Sequence, residues 1–345
     1  MKQVGYFNRT RYWQIYAFNN PPKGYKYKRG INIPFHSIGI NDPFLRHTKF
    51  VLPFQNCDLY HTYNAVVTGR KPWIIEVETT VPRYGDLKEG NRRFDWGIKK
   101  LKSQFCKGII FTSKYTRKLN QENFKQWGID PEKCHIVYRA VEPQYLLERT
   151  GNEKEFTILF VGNGFYRKGG IELLKAFKKF NKKDGRLVII SNFEVDWKIF
   201  PTEMEKQFVQ EEIEGNKQIE VYQNLSHSEV IYWMRKSDVF VNTTYADTFN
   251  NAILEALSCQ LPVIVSNVRA IPEFVKEGFN GFMVNPDLQN REKMIDHIYK
   301  KLETYYSDTN MLKIHSANAL MTVESKFLID HRNKKLSKIY NSIIG

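Results

Sequence analysis

Between residues 156 and 266, runs of strand length alternate with stretches of helical period, and this alternation restricts the fold more than any other feature of the chain. "FTILFVG" (156–162) is nearly all apolar and ends on a glycine, as a strand buried on both faces should. "IELLKAFKKF" (171–180) spaces Leu173, Leu174, Phe177 and Phe180 along one helical face. "RLVIIS" (186–191), a helical stretch near 203–214, "IEVY" (219–222), the helix "HSEVIYWMRKS" (227–237), "VFVNTT" (239–244), a helix from Asn250 and "LPVIVS" (261–266) follow in turn. Strands joined through helices run parallel. The pattern predicts an α/β fold with a doubly wound sheet, whose ligand lies outside the carboxyl ends of the strands. "VGNGFYRKGG" and "TTYADTFNN" fall at those ends.

The first half repeats the theme less clearly. "DLYHTYN" (58–64), "PWIIEVE" (72–78), "GIIFTS" (108–113) and "CHIVYR" (134–139) read as strands, with helical stretches near 91–105 and 114–127. The opening reads as two strands, "RYWQIYAF" and "YKYKRGINIPF", about the turn "NNPPKG". That hairpin offers Tyr12, Trp13, Tyr16, Tyr25 and Tyr27 beside Lys26, Lys28 and Arg29. A length of 345 residues suits two domains. The hydrophilic stretch "EPQYLLERTGNEKE" (142–155) reads as their linker, dividing a domain at 1–148 from one at 149–325. "FLIDHRNKKLSKIYNSII" (327–344), within the last segment at 326–345, reads as an amphipathic helix.

Charge is one-sided. Residues 1–150 hold 26 Lys+Arg against 12 Asp+Glu, and residues 151–345 hold 26 against 25. A field of that kind attracts an anionic partner: lipid headgroups, a phosphorylated acceptor or nucleic acid. The alternative is a Lys-rich surface that is merely soluble. No apolar run approaches the length of a membrane span, and the N-terminus lacks a secretory pattern. Cys57, Cys106, Cys134 and Cys259 stand far apart, as reduced thiols in a cytoplasmic protein would.

"ADTFNNAILEALSCQLPVI" (246–264) sets Asp247 eight positions before Glu255 at the mouth of an apolar helix. Thr248 or Asn250 can cap that helix. Its N-terminus then offers N–H groups and a partial positive charge to an anion. Eight residues at helical rise is about 12 Å, roughly a sugar–diphosphate–ribose unit. On the two acids alone, a cap and a solvated helix residue are the simpler reading.

The linked motifs in 237–286 resemble the nucleotide-sugar half of a GT-B glycosyltransferase of the retaining GT4-like family. They are Asp247 with Phe249, then Leu254-Glu255-Ala256, Pro262-Val263, Pro272-Glu273 with Val275, and Gly278 with Gly281 and Val284. "ILFVGNGFYRKGGIELLKAF" (158–177), with Gly162 and Lys168-Gly169, resembles the same family's phosphate loop, and 106–143 resembles its last N-domain strand and helix. The resemblance implies two Rossmann-like domains with a donor cleft between them, and a final helix that crosses back onto the first. It implies a UDP-sugar or GDP-sugar donor, no bound cofactor and no catalytic metal; the chain has no D-x-D and no His/Cys cluster. Lys168 and Arg167 would neutralise the diphosphate, aided by Gly162, Asn163 and the backbone of Thr248, Phe249, Asn250 and Asn251. Glu255 would bind ribose hydroxyls and Asp247 the transferred sugar. Backbone groups near Asn224-Leu225-Ser226 would meet the base. His61, His227 and the other histidines read as surface or polar-core residues.

The chain departs from the family at several of these positions. Asp247 stands for a Glu, Asn250 and Gln260 for glycines, and Asn163 for the Arg that normally follows Gly162, with Arg167 the nearest substitute. Glu78 stands where the family often has a His; it would act as a sugar-hydroxyl ligand or acceptor base, or be a strand-end carboxylate held by Arg83. The expected activity is sugar transfer to a glycan or lipid-linked acceptor at the cytosolic membrane face, with the basic first half toward anionic lipid. The rival expectations are a GT-B scaffold without turnover and a nucleic-acid-modifying transferase, since basic and aromatic residues interleave at 9–29.

Overall fold

The computed structural model describes residues 1–7, 20–31, 39–51, 56–144 and 155–345. The chain divides into two compact units. Met1–Ala140 with Phe327–Gly345 form the first, and Val141–Lys326 the second. The linker reading at 142–155 and the boundary at 148/149 fall largely outside the described residues, as do Tyr12, Trp13 and Tyr16.

The strands of the first unit are β1 (Lys2–Tyr6), β2 (Tyr25–Arg29), β3 (Thr48–Lys49), β4 (Leu59–Tyr63), β5 (Val66–Val67), β6 (Trp73–Val77), β7 (Cys106–Phe111) and β8 (Cys134–Ile136). Six of them form a sheet in the order β2-β1-β4-β6-β7-β8, while β3 and β5 pair separately. The ladders of the six-stranded sheet are all parallel. Side chains alternate across each strand, and the cores follow that parity. Trp73, Ile75 and Val77 pack with Ile109, Phe111, Leu101, Phe124 and Trp127 on the side of the helices Arg92–Lys102 and Lys114–Trp127. Ile74 and Ile110 point the other way, to Leu336, Ile339 and Tyr340 of the helix Ile329–Ile344. Local signals fix the ends of the helix Lys114–Trp127: Ser113 caps it by accepting from the Thr116 N–H, and Gly128 closes it at φ 65°.

The first strand of the expected opening hairpin, "RYWQIYAF", lies outside the described residues. Tyr25–Arg29 is a strand, but its partner is Lys2–Tyr6, in parallel. "KQVGY" is too short and too lightly patterned to announce itself, and a parallel partner needs no turn beside it. Tyr25 is buried and Tyr27 partly so, against the helix Ile329–Ile344. The Tyr27 hydroxyl lies 3.0 Å from that of Tyr340, so these rings are core residues and are not displayed to a membrane.

Glu76 shares the parity of Ile74, so it projects from the sheet toward the same helix. Its carboxylate meets Arg332 at 2.7 Å, with both side chains buried. His61 Nε2 lies 3.3 Å from the same carboxylate, and His61 Nδ1 lies 2.7 Å from the Tyr340 hydroxyl. Burial by itself would raise the Glu76 carboxyl, but the Arg332 charge outweighs it and holds it well below the usual range. His61, the polar-core histidine expected from the sequence, is lowered by burial.

The second unit holds β9 (Phe156–Val161), β10 (Gly185–Ile190), β11 (Ile219–Tyr222), β12 (Val239–Asn242), β13 (Val263–Ser266) and β14 (Gly281–Val284). They form a parallel sheet ordered β11-β10-β9-β12-β13-β14. The chain winds outward from β9 in one direction and returns to β12 to wind in the other. The carboxyl ends of β9 and β12 are therefore a topological switch point. The helices Arg291–Ser307 and Thr309–Lys326 were not legible; the second spreads its apolar residues around its whole circumference. Among the described residues no helix is long and apolar enough to cross a membrane.

Glu76→Gln leaves the Arg332 guanidinium buried without a countercharge and should cost the first unit about 3–5 kcal/mol, read as the shift of its urea transition in the full chain. Both depressed groups give stability the same sign. The Glu76 contribution is complete above its ordinary value of 4.5 and is lost as pH falls toward its lowered one. His61 adds loss in acid below 6.5, so unfolding midpoints measured from pH 7 to pH 4 should fall, and less so in the Gln variant.

Candidate functional site

The residues at the switch point come from the loops that follow β9 and β12. After Val161 the chain turns through Gly162, Asn163 and Gly164. A side chain at Gly162 would sit 2.3 Å from Cδ of Lys168, so the lysine stem lies across the glycine. Lys168 Nζ is 3.5 Å from the Asp247 carboxylate, which arrives from the loop after β12. Gly169, at φ +79°, lets the two loops close on each other. A Cβ there would meet Thr243 Oγ1 at 2.3 Å and the Thr243 carbonyl oxygen at 2.6 Å. Asn163 is exposed, and its carbonyl accepts the N–H groups of Phe165 and Glu194.

Arg167 does not serve as expected. Its guanidinium is buried and grips Asp196 through two bonds of 2.7 Å. It also donates to the Ala246 carbonyl and lies 3.6 Å from Asp247. Asp196, ahead of the helix Glu203–Gly215, already matches its charge. The cation aimed at the switch point is Lys168, paired with Asp247 alone among the described residues, and Arg167 is the brace behind Asp247.

The helix after β12 begins at Asn251 and ends at Ser258. Glu255 is therefore its fifth residue, about 6 Å along the axis from the first. The helical rise of about 12 Å expected between Asp247 and Glu255 is corrected, because residues 247–250 are loop. The Asn250 side chain does not cap the helix. Asn250 occupies the cap position at φ 56°, where the family has a glycine. Its Nδ2 donates to Asn242 Oδ1 at 3.0 Å, and its N–H is received by Asp247 Oδ1 at 3.1 Å. Asn tolerates this left-handed backbone better than most residues do, and its amide is spent on the core. Phe249 is fully buried against Phe274, leaving only its backbone to a ligand. Thr248 is buried as well.

Glu255 is paired, which the sequence did not reveal: its Oε1 lies 3.1 Å from Nε2 of His227. That hydrogen bond raises the imidazole above its ordinary value, against the opposing effect of burial. His227 opens the helix His227–Lys236, directly after the capping residue Ser226. The only sequence signal was its nearness to Asn224-Leu225-Ser226. Asn224 has φ 54°, and its N–H and Oδ1 are both engaged by the Asn192 side chain. Leu225 is half-buried.

Glu78 lies in the first unit, just past β6. Its carboxylate is 2.7 Å from Arg139 and 3.9 Å from Arg83, and accepts the Tyr63 hydroxyl. Arg139 is the principal holder in place of Arg83, and no periodicity marks an arginine that will be buried. Burial would raise the Glu78 carboxyl, but Arg139 prevails and lowers it to about 2. A carboxylate that acidic is a poor base and a good hydroxyl acceptor. Among the described residues no group of three or more His, Cys, Asp and Glu gathers as metal ligands would.

Residues 147–316 match the family model described as Glycosyl transferases group 1. An uncharacterized glycosyltransferase, MJ1178 of Methanocaldococcus jannaschii, is 29% identical over 55% of this chain and 49% of its own length. The capsular polysaccharide biosynthesis glycosyltransferase CapM of Staphylococcus aureus is 26% identical over 63% of this chain and 53% of its own. The chain thus spans about half the length of these relatives. The crystal structure of Anabaena Alr3699/HepE with UDP-glucose superposes with a TM-score of 0.66 at 12% identity, covering 99% of this chain and 100% of that one. The architecture of two Rossmann-like units is the GT-B fold.

His227 should titrate above 6.5 by NMR in the wild type and return toward 6.5 in Glu255→Gln. The stability of a group raised in this way is complete below its unfolded value and fades as pH climbs through the raised one. A wild-type His227 titrating at or below 6.5 would remove the charged contact.

Proposed function

We propose that this chain, whose residues 147–316 match the glycosyl transferases group 1 model, is a retaining glycosyltransferase moving a sugar from a nucleotide-diphosphate donor to a glycan or lipid-linked acceptor. The observation that carries this reading is the convergence of Lys168 and Asp247 over Gly162 at the switch point. A diphosphate gathers charge as it leaves, and a half-buried ammonium on a fixed stem stabilises that charge without reorganising. In this proposal Lys168 and the backbone N–H groups at the start of the helix Asn251–Ser258 take the place of a metal ion. Asp247, braced by Arg167, accepts hydroxyls of the transferred sugar. Glu255, held by His227, accepts those of the ribose. Glu78 accepts a further sugar hydroxyl. The leaving phosphate itself takes the acceptor's proton.

Capsular polysaccharide is in the name of one relative, and another is the alpha-monoglucosyldiacylglycerol synthase of Acholeplasma laidlawii. The first name supports a glycan acceptor and the second a lipid one, and the basic excess of residues 1–150 supports an acceptor at an anionic, cytosolic membrane face. A second reading, a GT-B scaffold without turnover, is favoured by the commitment of Arg167 to Asp196.

Thermal stability against UDP, GDP, ADP and CDP without metal separates the two readings. One nucleotide at about 100 times its dissociation constant should add about 2.7 kcal/mol, and Glu255→Ala should lose most of that gain. If none of the four stabilises the wild type, the scaffold stands and the transferase reading falls.

A further inference from the structure

The loop from Asn192 to Thr202 carries strain that the donor residues do not explain. Asp196-Trp197-Lys198-Ile199 closes as a tight turn, with the Ile199 N–H donating to the Asp196 carbonyl at 3.1 Å. Both central residues have positive φ, 53° at Trp197 and 60° at Lys198. Asn-Gly ordinarily fills such a turn, and a Trp-Lys pair in it is unfavourable unless the surroundings enforce it. They do so here. The Asp196 carboxylate is clamped by Arg167 and lies against Gly164, and the Glu194 N–H is bound to the Asn163 carbonyl.

The enforced turn holds up a large ring. Trp197 is 49% exposed, and Phe200, directly after the turn, is 73% exposed. Two guanidiniums lie over the Trp197 ring, Arg167 at 4.9 Å and Arg269 at 5.5 Å. Arg269 follows β13, is exposed, and has a strained backbone of its own at φ 51°. Trp197 thus reaches from the loop after β10 to the one after β13. The two cations differ in one respect. Arg167 is neutralised by Asp196, whereas neither Arg269 nor Lys198 has a carboxylate within ion-pairing distance among the described residues. Glu194 is the remaining uncommitted acid of the loop. Strained backbone at three positions presents an aromatic platform, a second exposed ring and two unmatched cations, beside the Arg167 that braces Asp247. None of this adds to the core.

We propose that Trp197, Lys198, Phe200 and Arg269 form an acceptor subsite for a phosphoryl group carried on an apolar chain. The cations receive the phosphoryl oxygens, with Arg269 held in place by the indole, and the rings lie along the first part of the chain. The subsite rests on the glycosyltransferase reading, because it flanks Asp247, where the transferred sugar would be. It assigns acceptor binding to the second unit, in addition to the basic first one.

The test is flotation of the full chain with vesicles of phosphatidylcholine alone, with phosphatidylglycerol added, or with a polyprenyl phosphate added. Arg269→Ala should weaken binding to the phosphorylated vesicles about fivefold, the effect of one cation at an anionic surface. Phe200→Ser should weaken it comparably, and Phe200 is so exposed that folding is not in question. A stronger response to polyprenyl phosphate than to phosphatidylglycerol supports the acceptor subsite, and an equal response, which traces the binding to bulk headgroups, overturns it. Vesicle binding unchanged in both variants overturns the subsite, as does inorganic pyrophosphate displacing the wild type equally from all three vesicles. Nucleotide stabilisation is measured on the same proteins. If it persists while vesicle binding ignores the substitutions, only the subsite falls. If it is absent from the wild type while the substitutions release the vesicles, the donor reading falls.

Discussion

The second unit is organised around a carboxamide. The ladder between β9 and β12 pairs Val239 with Ile158 and Phe240 with Leu159 and goes no further. Beyond that point the two central strands separate, as they must for a ligand to enter. The separation would leave the Val161 carbonyl without a ladder partner, but Asn242 Nδ2 supplies the bond at 3.0 Å. Asn250 Nδ2 then donates to the Asn242 Oδ1 at 3.0 Å and ties the following loop into the same knot. With those atoms fixed, the Asp247 loop and the Gly162 turn are fixed too, and the Lys168–Asp247 approach follows. Buried polar chains of this kind specify geometry, and here the Asn250 donor is spent on Asn242 while its own Oδ1 is buried without a partner among the described residues.

The knot also explains why this chain has asparagine where the family has glycine. A left-handed residue is required at the mouth of the helix, and glycine is the usual solution. Asparagine meets the backbone demand less cheaply. It adds a side chain, and here that side chain is turned inward to a partner that a glycine could not engage.

Much of the architecture could be read in the sequence because periodicity and turn chemistry are local. The alternation of 156–266 and its strand assignments hold, and the fold class and glycosyltransferase resemblance are confirmed. Side-chain partners were not legible, for one physical reason. Arg139 with Glu78, His227 with Glu255 and Asp196 with Arg167 are all pairs that only tertiary folding brings together. The opening strand Lys2–Tyr6 was missed because a parallel ladder leaves no trace beside the strand itself. Arg167 shows the opposite error: a cation read as available was already neutralised by an acid 29 positions away.

The ion pair of Glu76 with Arg332 joins residues 256 positions apart within one unit. A ribosome emits β6 long before it emits Phe327, and in that interval Glu76 faces a sheet surface that has no helix over it. The first unit is therefore the first to be synthesised and the last to be finished. Its sheet waits with an apolar face and an uncompensated acid exposed while all of Val141–Lys326 is made and can fold. Order of synthesis and order of completion are thus reversed, and the interval is one in which a chaperone, or a membrane surface, would find the face uncovered.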